Sequence, residues 1–141
     1  MSDEILLIED NEDDITLTLR ALKKQNILNH VVIARDGTEA LDLLLGNKNH
    51  EAIKPALILL DLKLPKLDGM DVLREINKVE IDRPPIVILT TSTEEEDIIK
   101  SYNLGANSYI RKPVDFSKFT EVVGQLGLYW LVINEKRPKN E

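Results

Sequence analysis

Cysteine is absent from this 141-residue chain, which excludes disulfides, thiolate metal sites and thiol nucleophiles and is compatible with a reducing compartment. Also missing is any stretch near the roughly 18 apolar residues that a membrane-spanning helix requires. The start, Met1-Ser2-Asp3-Glu4, is acidic and only four apolar residues follow it, so no signal peptide is expected. Basic clusters are lacking beyond short pairs such as Lys23-Lys24 and Lys136-Arg137. With a formal net charge of -7, the chain offers no basic stripe for a phosphate backbone, so no nucleic acid is expected as a partner. No internal repeat or low-complexity tract interrupts it. These absences point to a soluble protein, expected in the cytoplasm and without membrane contact.

What is present is enough for one core. The chain is 43% hydrophobic and 30% charged, and its length suits a single domain. Five short apolar segments recur: Ile5-Leu6-Leu7-Ile8, Val31-Val32-Ile33-Ala34, Leu57-Ile58-Leu59-Leu60, Ile86-Val87-Ile88-Leu89 and the weaker Ser108-Tyr109-Ile110. Each reads as a strand. Between them lie apolar residues at helical spacing: Ile15, Leu19 and Leu22; Ala40, Leu41, Leu44 and Leu45; Val72, Leu73, Ile76 and Val79; Ile98, Ile99 and Tyr102. Asp36 with Glu39 and Thr93 with Glu96 have capping-box spacing, while Gly46 and Gly105 sit where helices should stop. Gly46 to Pro55 is longer and more polar than the other connections and reads as a surface excursion. A last helix is expected through Phe116, Phe119, Val122, Val123, Leu126, Trp130 and Ile133, followed by a polar tail. The expected fold class is α/β, a doubly wound five-stranded parallel sheet with five helices. One domain over 1–133, with an extended C-terminal helix, would precede a tail over 134–141.

In a parallel sheet every strand delivers its C-terminal residue to one edge, where such sheets do chemistry. Four strand ends are polar: Glu9-Asp10, Asp61, Thr90-Thr91-Ser92 and Arg111-Lys112-Pro113. Carboxylates gathered there repel, by about 4 kcal/mol for one pair at 4 Å and an effective dielectric near 20. A cation must sit among them. Carboxylate, carbonyl and water oxygens are what Mg²⁺ prefers, and it shares its remaining positions with phosphate. Lys112 and the Thr90 hydroxyl could hold further phosphate oxygens, which suits phosphoryl transfer to Asp61 and an aspartyl phosphate. Each part has a plainer reading: Asp61 opens a turn, Glu9 and Asp10 cap the first helix, Thr90 is a satisfied strand-end hydroxyl, and Lys112 is a surface lysine. Taken singly these compete well; together they do not explain four polar strand ends.

In these residues the chain resembles the receiver domain of two-component response regulators, a (βα)5 flavodoxin-like fold. Ile8-Glu9-Asp10-Asn11 matches its acidic pair, and Leu60-Asp61-Leu62-Lys63-Leu64-Pro65 through Asp68-Gly69 its phosphoacceptor loop. Leu89-Thr90 matches the switch hydroxyl, Lys112-Pro113 the basic end and Gly105-Ala106-Asn107-Ser108-Tyr109-Ile110 the usual Gly-Ala-x-x-Tyr-hydrophobic run. The resemblance implies that Asp61 accepts phosphate from a sensor histidine kinase or histidine phosphotransfer protein. It implies Mg²⁺ on Asp10, Asp61 and the backbone carbonyl of Lys63, with Glu9 holding a water on the metal. Thr90 and Lys112 would bind phosphoryl oxygens, and Tyr109 would turn inward as Thr90 moves; alternatively Tyr109 is a half-buried residue that stays put. Lys112-Pro113 resembles the family's cis peptide, and Thr91 stands where many members have a smaller residue.

The stretch Leu128-Tyr129-Trp130-Leu131-Val132-Ile133 and the loop from Gly46 are similar to stand-alone receivers that partner phytochrome-type histidine kinases. Tyr129 and Trp130 read either as an interface anchor, as in a homodimer, or as packing for the last helix; the downstream partner is not identified. The expected role is signalling rather than enzymatic turnover. A small phosphohydrolase with an aspartyl nucleophile is the alternative, but such enzymes commonly carry a second Asp two residues on, where this chain has Lys63. A receiver-like module that binds partners without phosphate is a third reading, opposed by the intact Glu9, Asp10, Asp61, Thr90 and Lys112 set.

Overall fold

The structure is a computed structural model that describes residues 4–25, 27–64, 68–78, 83–90, 95–112, 117, 118 and 121. Five strands form where the apolar runs predict them: β1 (Ile5–Ile8), β2 (Val31–Ala34), β3 (Leu57–Asp61), β4 (Ile86–Thr90) and β5 (Ser108–Arg111). Leu, Ile and Val at successive positions leave β1, β3 and β4 no polar face, and all of their residues are buried. Every pairing is parallel, in the order β2-β1-β3-β4-β5. The chain steps from β1 out to β2 and then crosses back to β3, so a crevice opens at the C-terminal ends of β1 and β3.

Between the strands run α1 (Glu12–Lys24), α2 (Gly37–Leu45), α3 (Gly69–Lys78) and α4 (Glu95–Asn103). The fifth expected helix falls almost wholly outside the described residues, of which Ser117, Lys118 and Glu121 are helical. Val79, Thr93, Pro113, Tyr129, Trp130 and the tail over 134–141 also lie outside them. Among the described residues no helix is long and apolar enough to cross a membrane.

Strand alternation sorts the core into two layers. Ile5, Leu7, Leu57, Leu59, Val87, Leu89 and Ile110 pack with Ile15 and Leu22 of α1. Leu6, Ile8, Ile58, Leu60, Ile86 and Ile88 pack with Ala40 and Leu44 of α2 and Val72, Leu73 and Ile76 of α3. Helix ends follow local chemistry. Asn11, not Glu9 or Asp10, caps α1 by accepting from Asp14 N at 2.9 Å. Asp36 caps α2 by accepting from Glu39 N at 2.8 Å, while the Glu39 carboxylate reaches back to Arg35 N at 2.6 Å, one residue beyond the usual box partner. Gly46 ends α2 at φ 78°, where a Cβ would lie 2.7 Å from Ala52 N. The loop that follows is a surface excursion with its own order, since Asn47 Oδ1 accepts from the backbone of Asn49 and His50 at 2.6 and 3.1 Å.

Helix α4 lies where its spacing predicts, but its apolar stripe does not turn fully inward. Ile99 and Tyr102 are 52% and 46% exposed, while Ser101 is buried. Ser101 tolerates that position because its hydroxyl donates to Ile98 O at 2.9 Å. Leu45, at the end of the α2 stripe, is likewise exposed.

The loop after β3 is pressed against the start of α3. Gly69 N donates to Leu62 O at 2.9 Å, and a Cβ on Gly69 would lie 2.3 Å from Asp61 O and 2.5 Å from Leu62 Cα. Both neighbours are backbone, so any side chain must displace the end of β3. Gly69→Ala is expected to destabilise the fold by roughly 1–3 kcal/mol, the usual range for overpacking. Urea denaturation checks this; an unchanged midpoint would show that the β3 end yields freely.

Candidate functional site

Glu9 follows Ile5 and Leu7 in alternation, Asp61 follows Leu57 and Leu59, and Lys112 follows Ile110, all members of the layer packed on α1. These three groups therefore meet at one mouth of the sheet. By alternation Thr90 follows Ile86 and Ile88, which belong to the opposite layer, and Tyr109 packs half-buried against that layer. Strand-end position groups Glu9, Asp61, Thr90 and Lys112, whereas Tyr109 lies inside β5.

Glu9 and Asp61 are 1% and 5% exposed, and Thr90 is fully buried. The Lys112 side chain is 7% exposed, so it is not a surface lysine. Its Nζ donates to Glu9 Oε1, to Asp14 Oδ2 at 2.9 Å and to Asp61 Oδ2 at 3.2 Å. Its backbone is fixed as well, by Lys112 N donating to Thr90 O at 2.9 Å. Farther back, Asn107 locks β4 to β5: its N–H donates to Ile86 O at 2.8 Å and its side chain accepts from Ile86 N at 2.9 Å.

Asp14 is the site residue that strand-end reasoning misses. It lies in the first turn of α1, and the Asn11 cap brings it over the mouth of the sheet. Its place in the first turn of the helix that directly follows the Glu9-Asp10 pair is the sequence signal that could have found it.

Carboxylate oxygens of Glu9, Asp10 and Asp61 all lie within 4.8 Å of one another. Asp10 is exposed while the other two are buried, so the cluster opens to solvent on one side. This oxygen-only donor set fits a hard divalent cation. Lys63 approaches Asp61 through its N–H, which donates to Asp61 Oδ1 at 3.2 Å. Thr91, Ser92 and Pro113 lie outside the described residues.

The electrostatics show how little spare positive charge the cluster has. Burial pushes the Glu9 carboxyl up to about 7, against the pull of its Lys112 hydrogen bond and with a further push from Asp61. Burial opposes the charge on Lys112, but the bonds to Glu9 and Asp14 and the field of Asp61 outweigh it and raise its pKa. An acid with a raised folded pKa binds more protons folded than unfolded, so it favours the fold below the unfolded value and loses that contribution as pH rises through the folded one. Metal-free protein is therefore expected to lose stability through Glu9 between pH 4.5 and about 7, by at most on the order of 3 kcal/mol. Glu9→Gln should flatten that part of the profile. Denaturation midpoints across this range check it, and equal slopes in the two proteins would refute it.

Comparison with known proteins agrees with this architecture. Residues 5–124 match the response regulator receiver domain. Response regulator Rcp1 of Synechocystis sp. is 40% identical over 139 residues, covering 93% of this chain and 95% of that protein. The structure of its Mn(2+)-bound form superposes with a TM-score of 0.75 at 40% identity, covering 92% of this chain and 94% of that one. The bacteriophytochrome response regulator AtBRR has a TM-score of 0.80 at 44% identity, covering 100% of this chain and 99% of that one. The phosphorylated cyanobacterial phytochrome response regulator RcpA has a TM-score of 0.75 at 41% identity over 93% and 95% of the two chains. The matched span takes in the whole acidic mouth of the sheet, from Glu9 to Lys112, and the chain belongs to the family of response regulator receiver domains.

Proposed function

We propose that this protein stores a signal as a phosphoryl group on Asp61, taken from a sensor histidine kinase or a histidine phosphotransfer protein. The observation that carries the reading is the buried Lys112 ammonium on Asp61 Oδ2, beside carboxylate oxygens of Glu9, Asp10 and Asp61 that converge within 4.8 Å. Asp10, Asp61 and the Lys63 carbonyl would hold Mg²⁺, with Glu9 holding a water on it; when bound, the cation would supply positive charge to the phosphoryl oxygens. A carboxylate oxygen of Asp61 forms the new P–O bond as the P–N bond of the donor phosphohistidine breaks. Lys112 moves onto a phosphoryl oxygen and the Thr90 hydroxyl donates to another. Thr90 follows Ile88 in alternation and Tyr109 packs against the layer that holds Ile88, which supports a shift of Thr90 toward phosphate being passed to Tyr109 and the surface near it.

The phosphorylated form of RcpA and the Mn(2+)-bound form of Rcp1 support the same reading. Those likenesses also support a phytochrome-type kinase as donor, and the proposal includes a cytoplasmic location, a role without repeated turnover, and one domain over 1–133 followed by a tail over 134–141. Self-association through Tyr129 and Trp130 is a further part of the proposal.

Incubation with a small acyl phosphate and Mg²⁺ should add one hydroxylamine-sensitive phosphate per chain. Asp61→Asn should abolish uptake, and chelation of Mg²⁺ should slow it by at least about tenfold. Phosphate uptake that persists in Asp61→Asn would reject the assignment. Multiple turnovers of a phosphate ester would instead favour the phosphohydrolase reading.

A further inference from the structure

The Lys112 ammonium has three N–H donors, and three carboxylates take them: Glu9, Asp14 and Asp61. A phosphoryl oxygen that binds this ammonium must displace one of them. Asp61 is the reacting group. Glu9 is 1% exposed on its side chain, so releasing it would leave a buried carboxylate without its cation, whereas the Asp14 side chain is 32% exposed and can be rehydrated. Asp14 is the partner best able to let go.

The balance of charge points the same way. Glu9, Asp10 and Asp61 carry three negative charges when ionised, which a divalent cation and Lys112 together match. Asp14 is a surplus carboxylate beside the place where an anionic phosphoryl group would arrive. Resting on the reading of Asp61 as phosphoacceptor, we propose that Asp14 is a positioning residue that holds Lys112 away from the incoming phosphoryl group and slows phosphate uptake. Its position is fixed independently of that role, because the Asn11 cap accepts from Asp14 N at 2.9 Å and anchors the first turn of α1.

The test compares wild type with Asp14→Asn, which keeps an acceptor without the charge, Asp14→Ala, which removes both, and Asp14→Glu, which keeps the charge. Phosphate uptake from a small acyl phosphate at saturating Mg²⁺ should rise about tenfold in the Asn and Ala variants, as loss of a charge-assisted hydrogen bond allows. The Glu variant should stay near wild type. In metal-free protein, acetylation of Lys112 by acetic anhydride, read by peptide mass spectrometry, should rise in parallel because the lysine loses a bond that stabilises its charged form. A role confined to folding would not produce this charge-dependent order. Unchanged uptake and unchanged labelling in the Asn and Ala variants would overturn the proposal, and so would slower uptake in either. If wild-type protein takes up no phosphate on Asp61, the functional reading fails instead, and the labelling arm still decides whether Asp14 restrains Lys112.

Discussion

One buried ammonium makes this sheet edge possible. Lys112 lies among Glu9, Asp14 and Asp61, and without it each carboxylate pair at about 4 Å would cost on the order of 4 kcal/mol at an effective dielectric near 20. Those partners are far apart in sequence, 103, 98 and 51 residues from the lysine. Only the parallel sheet brings them together, and it does so with a defined register. The Lys112 backbone bonds Thr90 O, and Asn107 pins the other end of the β4–β5 pair on Ile86. The sheet thus both creates the charge problem, by sending every strand end to one edge, and supplies the cation that contains it.

Alternation along the strands then separates two tasks. Glu9, Asp61 and Lys112 continue the residues that pack on α1, whereas Tyr109 packs against the layer on α2 and α3, and Thr90 follows Ile86 and Ile88 of that layer in alternation. In the proposed function, the charged groups hold the phosphoryl anion on one side and the side chains that respond lie on the other. Thr90 is tied to the charged side through its backbone, because its carbonyl accepts from Lys112 N. Helix α4 leaves Ile99 and Tyr102 exposed, so the molecule presents apolar surface that its own core does not require.

The strands were legible because Ile5–Ile8, Leu57–Leu60 and Ile86–Leu89 have no polar position at which a helical face could form. Asp61 was legible as the first charged group beyond such a run, and Lys112 as part of the basic end, Arg111-Lys112-Pro113, of the fifth strand. Other features depend on geometry that spacing does not encode. The cap on α1 is Asn11 rather than its acidic neighbours, since capping depends on which side chain reaches the Asp14 N–H. Asp14 escapes a search limited to strand ends because it enters the site from a helix turn. The α4 stripe is ambiguous because Ser101 can be buried once its hydroxyl bonds its own helix backbone, an exchange that hydrophobic periodicity does not register.

Gly69 and Lys63 explain how a buried aspartate is kept ready for reaction. Gly69 lets the start of α3 close against the Asp61–Leu62 backbone, so the carboxylate projects from a restrained strand end. Lys63 N–H bonds Oδ1 and Lys112 bonds Oδ2, each at 3.2 Å; both oxygens therefore have a donor at rest. In the proposed function Lys112 reaches a phosphoryl oxygen with the donor that Asp14 gives up, and because each carboxylate oxygen has two lone pairs, Asp61 can attack while it keeps its Lys112 bond. The ammonium would then bridge Asp61 and the arriving phosphoryl group and deliver positive charge to the phosphate without moving the backbone. On the proposed function the Lys112 contact that stabilises the resting site would also stabilise a phosphorylated one, which suits a residue that holds its phosphate better than one that must discharge it at every cycle.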